Sequence, residues 1–395
     1  MNILVVHNYY KIHAGEESVF QNEVKLLKEK GNNVSVYTRD NKELDEMNVI
    51  QKLILPFITI FSWKTYKEVK KIIKKNNIEI VHVHNYLNLI SPSVYYAAFK
   101  CGVPVVQTIH HYRLNCPATT FYRNGKICDK CVNNLFKSLP HKCYRNSILS
   151  TFGVALMVEF HKFIGTYGKI NYICLTEFNK NQLLRMNTKH KKYIDEKKVY
   201  IKPNYSNFQH EVIPFNKRKN QIIYAGRLYE PKGIRYLVEA WQYVKNYELL
   251  IFGSGPLEEW CKEYIKDNKL TNVKMMGVIA NSELVEYVAE AKAQILPTQW
   301  FEGFPMVLVE AFACGTPFLG SDIGNVNDII KEGYNGLHFK HDNPKDIARA
   351  VNQIFDMVDT TKKCSEELYS PESNYKMLID IYNKCITNFN NVREN

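Results

Sequence analysis

Two series of short apolar runs, each alternating with longer helical patterns, constrain this chain more than any other feature. The first series is "ILVV" (3–6), "VSVY" (34–37), "IEIVHV" (78–83), "VPVVQTI" (103–109) and "YICLT" (172–176). The second is "QIIYAG" (221–226), "YELLIFG" (247–253), "NVKMMG" (272–277), "AQILP" (293–297) and "PFLGS" (317–321). Stretches such as "ESVFQNEVKLLKEKG" and "IRYLVEAWQYVKN" separate them. Strand–helix alternation of this kind predicts parallel sheets covered on both faces. The polar, proline-containing segment 202–220 lies between the series and reads as a linker. A chain of 395 residues exceeds one ordinary core and suits two domains. The expected fold class is therefore α/β, with two doubly wound, Rossmann-like domains and an interdomain cleft. Ligands in such sheets sit beyond the carboxyl ends of the strands.

The chain opens as a strand, "MNILVVHNYY", rather than as a secretory signal. It has no run of roughly 18 uncharged apolar residues, so no membrane span is expected. A cytoplasmic location follows as an expectation. Net charge is +12, and its placement matters more than its size. The lysine-rich "KTYKEVKKIIKK" (64–75) follows the apolar "LILPFITIFSW" (53–63). That pairing suits an anionic membrane surface or an acidic substrate; a solvated helix face is the plainer alternative. The apolar helix expected at 148–165 could join the same surface or pack within its domain. No nucleic-acid motif is present, so nucleic acid is not an expected partner.

Three loops at strand ends in the second half carry the chemistry. In "YAGRLYEPKG" (224–233), Gly226 ends a strand, and Arg227 and Lys232 flank a turn. Both cations can converge on one diphosphate, arginine as a fork and lysine as a point charge. In "FGSGP" (252–256), Gly253 and Gly255 permit close backbone approach. In "EGFPMVLVEAFACGTP" (302–317), Pro305 suits a first helical turn and Gly315 a helix end. The N–H groups at 304–307 then form an anion site reinforced by the helix dipole. Glu302 outside that helix start can accept hydrogen bonds from sugar hydroxyls. Glu310, two turns deeper on an apolar helix, needs a partner to offset its desolvation. A pair of ribose hydroxyls or an internal salt bridge would serve.

The order "AGRL…PKG", "FGSGP", "EGFPMVLVEAFACGTP", "SDIGN", "NGLHF" resembles the retaining glycosyltransferases of family 4, which have the GT-B fold. The resemblance spans nearly the whole chain. It implies domains at 1–205 and 206–368, with a C-terminal helix, 369–395, crossing back to the first. The family's paired-glutamate motif matches Glu302 and Glu310, implying donor-sugar and ribose contacts respectively. Arg227 and Lys232 would stabilise the departing diphosphate, with Phe304, Pro305 and Met306 lining the phosphate end through backbone groups beside Gly303. No cofactor is required for catalysis on this resemblance, and the donor half has no Asp-x-Asp metal motif.

In the first half, the family's Gly-Gly loop corresponds to Ala14-Gly15, so only Gly15 carries over. Glu16 and Glu17 either serve that loop or simply open the following helix. "VVQTIHHYRLNCP" (105–117) places His110 at the family's active-site histidine, while His111 stands where related members have aspartate. An insertion at about 112–146 carries Cys116-x11-Cys128-x2-Cys131-x11-Cys143. This spacing fits a structural, tetrahedral zinc site, with free thiols or a redox pair as alternatives; metal content of chelator-free protein decides among them. The expected reaction is sugar transfer, with retention, from a nucleoside-diphosphate sugar to an acceptor hydroxyl. The acceptor is expected to be a glycan or lipid-linked glycan at the inner membrane leaflet. A nucleotide-sugar epimerase of the same fold, or a non-catalytic sugar-nucleotide-binding assembly partner, are the rivals.

Overall fold

The computed structural model describes residues 1–11, 15–208 and 210–394. It divides into two compact units. Met1–Thr119, Asp129–Pro203 and Tyr375–Asn395 form the first, and Thr120–Cys128 with Asn204–Asn374 the second. In chain order the strands are β1 (Asn2–Tyr9), β2 (Asn33–Asp40), β3 (Ile80–Asn85), β4 (Val105–Ile109), β5 (Tyr122–Arg123), β6 (Lys126–Ile127) and β7 (Asn171–Cys174). They continue as β8 (Val199–Ile201), β9 (Lys219–Ala225), β10 (Glu248–Phe252), β11 (Val273–Gly277), β12 (Ala291–Leu296), β13 (Phe318–Ser321) and β14 (Gly336–Phe339).

The first unit holds a six-stranded sheet in the order β2-β1-β3-β4-β7-β8. All its pairings are parallel. Successive side chains of a strand point to opposite faces, and β1 feeds two cores accordingly. Leu4 and Val6 join Val81 and Val83 on one face. Ile3 and Val5 join Ile80 and Val106 on the other. There they meet Leu378, Ile381, Tyr382 and Cys385 of the helix Pro371–Glu394. Those four recur at helical spacing, which gives the C-terminal helix one apolar stripe.

The second unit holds a parallel sheet in the order β11-β10-β9-β12-β13-β14. Strand β12 is buried along its whole length, as expected for a strand covered on both faces. Both sheets reverse direction of growth around their first strand: β1 lies between β2 and β3, and β9 between β10 and β12. The crevice outside the carboxyl ends of two such neighbours is where open α/β sheets bind ligands.

All ten apolar runs expected as strands are strands. Strands β8 and β14 were not among them, because each is only three or four residues long. The expected insertion at 112–146 needs a correction: its segment Thr120–Cys128 belongs to the second unit, not the first. The physical cause is Phe121, fully buried with its ring 5.9 Å from that of Phe301. Beyond it, Asn124 and Gly125 both have positive φ, 52° and 77°, and close the β5–β6 hairpin. That is the geometry Asn-Gly favours in a two-residue hairpin turn.

Candidate functional site

In the second unit the switch point lies between β9 and β12, and the loops leaving these two strands hold Arg227, Lys232 and Glu302. The backbone fastens one loop to the other. Gln299 N donates to Pro231 O at 2.8 Å. Gly233, with φ 71°, sits so close that a Cβ there would stand 1.7 Å from Pro297 O. The two loops therefore form one framework rather than two independent arms.

Within that framework Lys232 Nζ donates to Glu302 Oε1 at 2.7 Å. Thr298 Oγ1 at 2.9 Å and Trp300 Nε1 at 2.8 Å donate to the same oxygen. Asn325 Nδ2 donates to the carbonyl oxygens of Glu302, at 2.8 Å, and of Gly303. Arg227 lies over the ring of Tyr229, 5.1 Å from its centroid, and Tyr229 packs edge-on against Trp300 at 5.4 Å. Burial, and then the Glu302 charge, push the Tyr229 hydroxyl well above its ordinary pKa, so it stays protonated. Sequence reasoning missed Thr298, Trp300 and Asn325. Asn325 closes the quoted "SDIGN", which was the only signal for it.

The helix Met306–Ala313 begins one residue later than expected, with Pro305 at its N-cap and no side-chain cap. Proline at this position has no N–H to place, so the start needs nothing from it. Cys314 is the C-cap, followed by Gly315 at φ 66°. Glu310 is partly buried on this helix, with its carboxyl pKa raised by desolvation and lowered again, in part, by a hydrogen bond with Asn281. Among the described residues it forms no ion pair, so the internal salt bridge weighed for it is not what holds it. The glycine turn is equally tight. Gly253, at φ 126°, would bring a Cβ within 2.0 Å of Gly226 O, and Gly255 within 2.4 Å of Leu228 O.

In the first unit His110 follows β4 and is buried. Gly15 opens the helix Gly15–Glu29, with Glu16 and Glu17 in its first turn; Ala14 lies outside the described residues. Glu17 Oε1 accepts from Tyr10 N at 2.7 Å. Burial pushes the Glu16 carboxyl up to about 7, against a hydrogen bond from Tyr10 Oη at 3.0 Å. His111 is held well below the ordinary histidine range by burial and then by Arg113. It is thus neutral, and does not supply the negative charge of the aspartate expected in related members. Cys116 and Cys131 are buried and Cys128 and Cys143 partly so; Cys128 lies in the segment that belongs to the second unit.

Two parallel-sheet Rossmann-like units of this topology are the architecture of GT-B glycosyltransferases. Comparison with known proteins agrees. Residues 206–370 match the family "Glycosyl transferases group 1", and residues 14–145 match "Glycosyltransferase Family 4". The chain is a glycosyltransferase of this group 1, family 4 type. It is 22% identical over 381 residues to an uncharacterized glycosyltransferase of Methanocaldococcus jannaschii, covering 93% of this chain and 92% of that one. It is also 22% identical over 308 residues to the Escherichia coli UDP-Gal:alpha-D-GlcNAc-diphosphoundecaprenol alpha-1,3-galactosyltransferase, covering 73% of this chain and 68% of that one. Among solved structures, Anabaena HepE in complex with UDP superposes with a TM-score of 0.67 at 13% identity, over 97% of this chain and all of the other.

Proposed function

We propose that this enzyme transfers a sugar, with retention, from a nucleoside diphosphate to a hydroxyl of a lipid-linked glycan. The observation that carries the proposal is the pairing of Lys232 with Glu302 across the β9–β12 switch point, at the amino end of an uncapped helix. Lys232, Arg227 and the N–H groups at Met306 and Val307 receive the diphosphate; helix amino ends favour such anions. Glu302 holds the sugar hydroxyls, and Glu310 the ribose. Desolvation at Glu310 is offset when ribose hydroxyls donate to it. Stabilising charge on the leaving diphosphate supplies most of the rate enhancement, since fixed donors and cations gain strength in a water-poor site.

Glu302 is not the nucleophile. Its Oε1 already accepts from Lys232, Thr298 and Trp300, which ties up lone-pair density. The acceptor hydroxyl attacks from the face the diphosphate leaves, and the diphosphate takes the proton. In this reading His110 contacts the donor sugar. The likeness to HepE with bound UDP and to an enzyme whose acceptor is a diphosphoundecaprenol supports the donor and acceptor classes.

A thermal-shift panel of UDP-, GDP-, ADP- and dTDP-sugars tests the donor. One family should raise Tm, by about 2.7 kcal/mol of stabilisation at 100 times Kd. No shift with any of them overturns the donor site. NMR of the product's anomeric centre then decides retention, and a product that needs no acceptor would instead identify an epimerase.

Membrane contact is the second part of the proposal. The helix Val49–Ile60 leaves Leu53 and Phe57 more than 60% exposed, and Phe163, at the end of the helix Ile148–Phe163, is 79% exposed. The two helices touch: Pro56 Cβ is 3.6 Å from a Cβ built on Gly153, and His161 Nε2 lies 2.9 Å from Ile60 O. Next along the chain, the helix Trp63–Lys75 exposes Lys67, Lys71 and Lys74. An apolar patch bordered by lysines fits an anionic bilayer surface. No described helix is long and apolar enough to cross a membrane. Changing Lys67, Lys70, Lys71 and Lys74 to glutamate should abolish co-sedimentation with phosphatidylglycerol vesicles while the far-UV circular dichroism is unchanged. Undiminished co-sedimentation of that variant would remove the membrane from the proposal.

A further inference from the structure

Behind His110 lies a buried polar chain that the transfer reaction, as described, does not use. His110 Nε2 is 2.9 Å from His84 Nδ1. His84 Nε2 is 3.0 Å from Glu23 Oε1. His82 Nδ1 lies 3.0 Å from the same oxygen, and His82 Nε2 is 2.7 Å from Thr108 Oγ1. Lys202 Nζ donates to Glu23 Oε2 at 3.1 Å. Every one of these side chains is buried, and all lie in the first unit. Four segments contribute: the helix after β1, strand β3, the end of β4 and the residue after β8.

Proton positions follow from the chemistry of the groups. Burial alone pushes the Glu23 carboxyl up, but Lys202, His82 and His84 outweigh it and hold the carboxyl well below the usual range. A carboxylate only accepts hydrogen bonds, so His84 Nε2 carries a hydrogen. One buried ammonium already balances the one buried carboxylate, and a further cation in the same desolvated cluster would stand uncompensated. An imidazole that carries its one hydrogen on Nε2 has its lone pair on Nδ1. That lone pair accepts from His110, which must carry its hydrogen on Nε2. Burial pushes the His110 imidazole well below the usual histidine range, so it is neutral. Its Nδ1 then has no hydrogen. Among the described residues Nδ1 has no hydrogen-bond partner either.

We propose that Glu23 and His84 are positioning residues: they lock His110 in its Nε2–H tautomer and so present Nδ1 as an acceptor for a sugar hydroxyl. This rests on the reading that His110 contacts the sugar. The tautomer itself does not, and is measurable without substrate. The second nitrogen's partner sets what an imidazole offers to a ligand. A wrong tautomer would turn a donor toward a hydroxyl that needs an acceptor. Glu23, His82 and His84 also place three possible metal-ligand atoms within 4.8 Å of one another. The Lys202 ammonium on the same carboxylate argues against a metal there, since a second cation would be repelled.

Full-length protein labelled with 15N-histidine tests the proposal by long-range proton–nitrogen correlation, with His110 assigned by the loss of its signals in His110→Gln. The expected spectrum shows a protonated Nε2 and a bare Nδ1 at His110. In His84→Phe the preference should disappear. Its kcat should fall on the order of 10- to 100-fold, the loss seen when partners that orient metal-bound histidines are removed, with KM for the nucleotide sugar little changed. A wild-type His110 protonated on Nδ1, or a His84→Phe protein that keeps the tautomer, overturns the proposal. Should His84→Phe not fold, Glu23→Gln gives the same readout, because its amide can turn a donor toward His84 and invert the chain. If the tautomer is as stated but His110→Gln transfers sugar normally, the contact between His110 and the sugar is what fails.

Discussion

Replacing Lys232 with alanine is expected to lower kcat by about 100- to 1,000-fold, the loss typical when one fixed group that stabilises transition-state charge is removed. The expectation follows from what surrounds the ammonium. It is bound to Glu302 Oε1 at 2.7 Å, and its own side chain is 20% exposed. The carboxylate does not depend on it for position. Thr298 and Trp300 still donate to Oε1, and Asn325 still holds the peptides at 302–303. Loss of the lysine should therefore leave the loop folded but lower Tm, since a largely buried carboxylate loses its cation. It does leave the Glu302 charge uncompensated at the proposed diphosphate site, so KM for the donor should rise as kcat falls. Lys232→Arg should not rescue fully, because a planar fork is larger and directs its donors differently. Steady-state kinetics with the donor identified by thermal shift provides the check. A Lys232→Ala enzyme within about threefold of wild type, well short of the loss expected for such a group, would remove this lysine from the phosphate site.

The second large effect is expected at Gly233. Alanine there meets two separate penalties. A φ of 71° costs a residue with a Cβ about 1–2 kcal/mol. The Cβ would also stand 1.7 Å from Pro297 O and 2.8 Å from the carbonyl carbon, and a backbone carbonyl cannot rotate away as a side chain would. The loops after β9 and β12 must separate, breaking the bond from Gln299 N to Pro231 O. Together the loss should exceed about 3 kcal/mol, in the range reserved for a strained backbone or a broken buried network. Binding of nucleotide sugar should vanish even where the protein remains folded, because Lys232 and Glu302 no longer meet. Gly277→Ala is the control. It has nearly the same φ, 73°, with nothing within 4 Å of the built Cβ, so it should incur the conformational cost alone. Equal chemical-denaturation midpoints for the two variants would contradict the account.

The candidate site was legible to different depths. Glycines at 253, 255 and 315 stood out because strand-to-helix turns and helix ends call for residues that tolerate positive φ or close backbone approach. Arg227 and Lys232 stood out because two cations around one turn have few structural uses. Glu302 was found as a carboxylate at a helix start, but its three donors were not. Thr298 and Trp300 are ordinary residues until the fold turns their polar atoms toward one oxygen. The chain Glu23–His84–His110 was invisible for the same reason, since 61 residues separate Glu23 from His84 and 26 separate His84 from His110.

What the sequence determined by itself was the alternation of strands and helices, the doubly wound class, and which loops lie at strand ends. Those properties depend on local periodicity and on the backbone freedom of single residues, both of which are written along the chain. The tertiary structure alone decided that Thr120–Cys128 joins the second unit, that Lys232 neutralises Glu302, and that a buried carboxylate sets the hydrogen on His110. Each depends on which distant groups share a desolvated space, where an unpaired charge or lone pair is costly. Periodicity carries no record of such pairings, because they are chosen by strand order and packing.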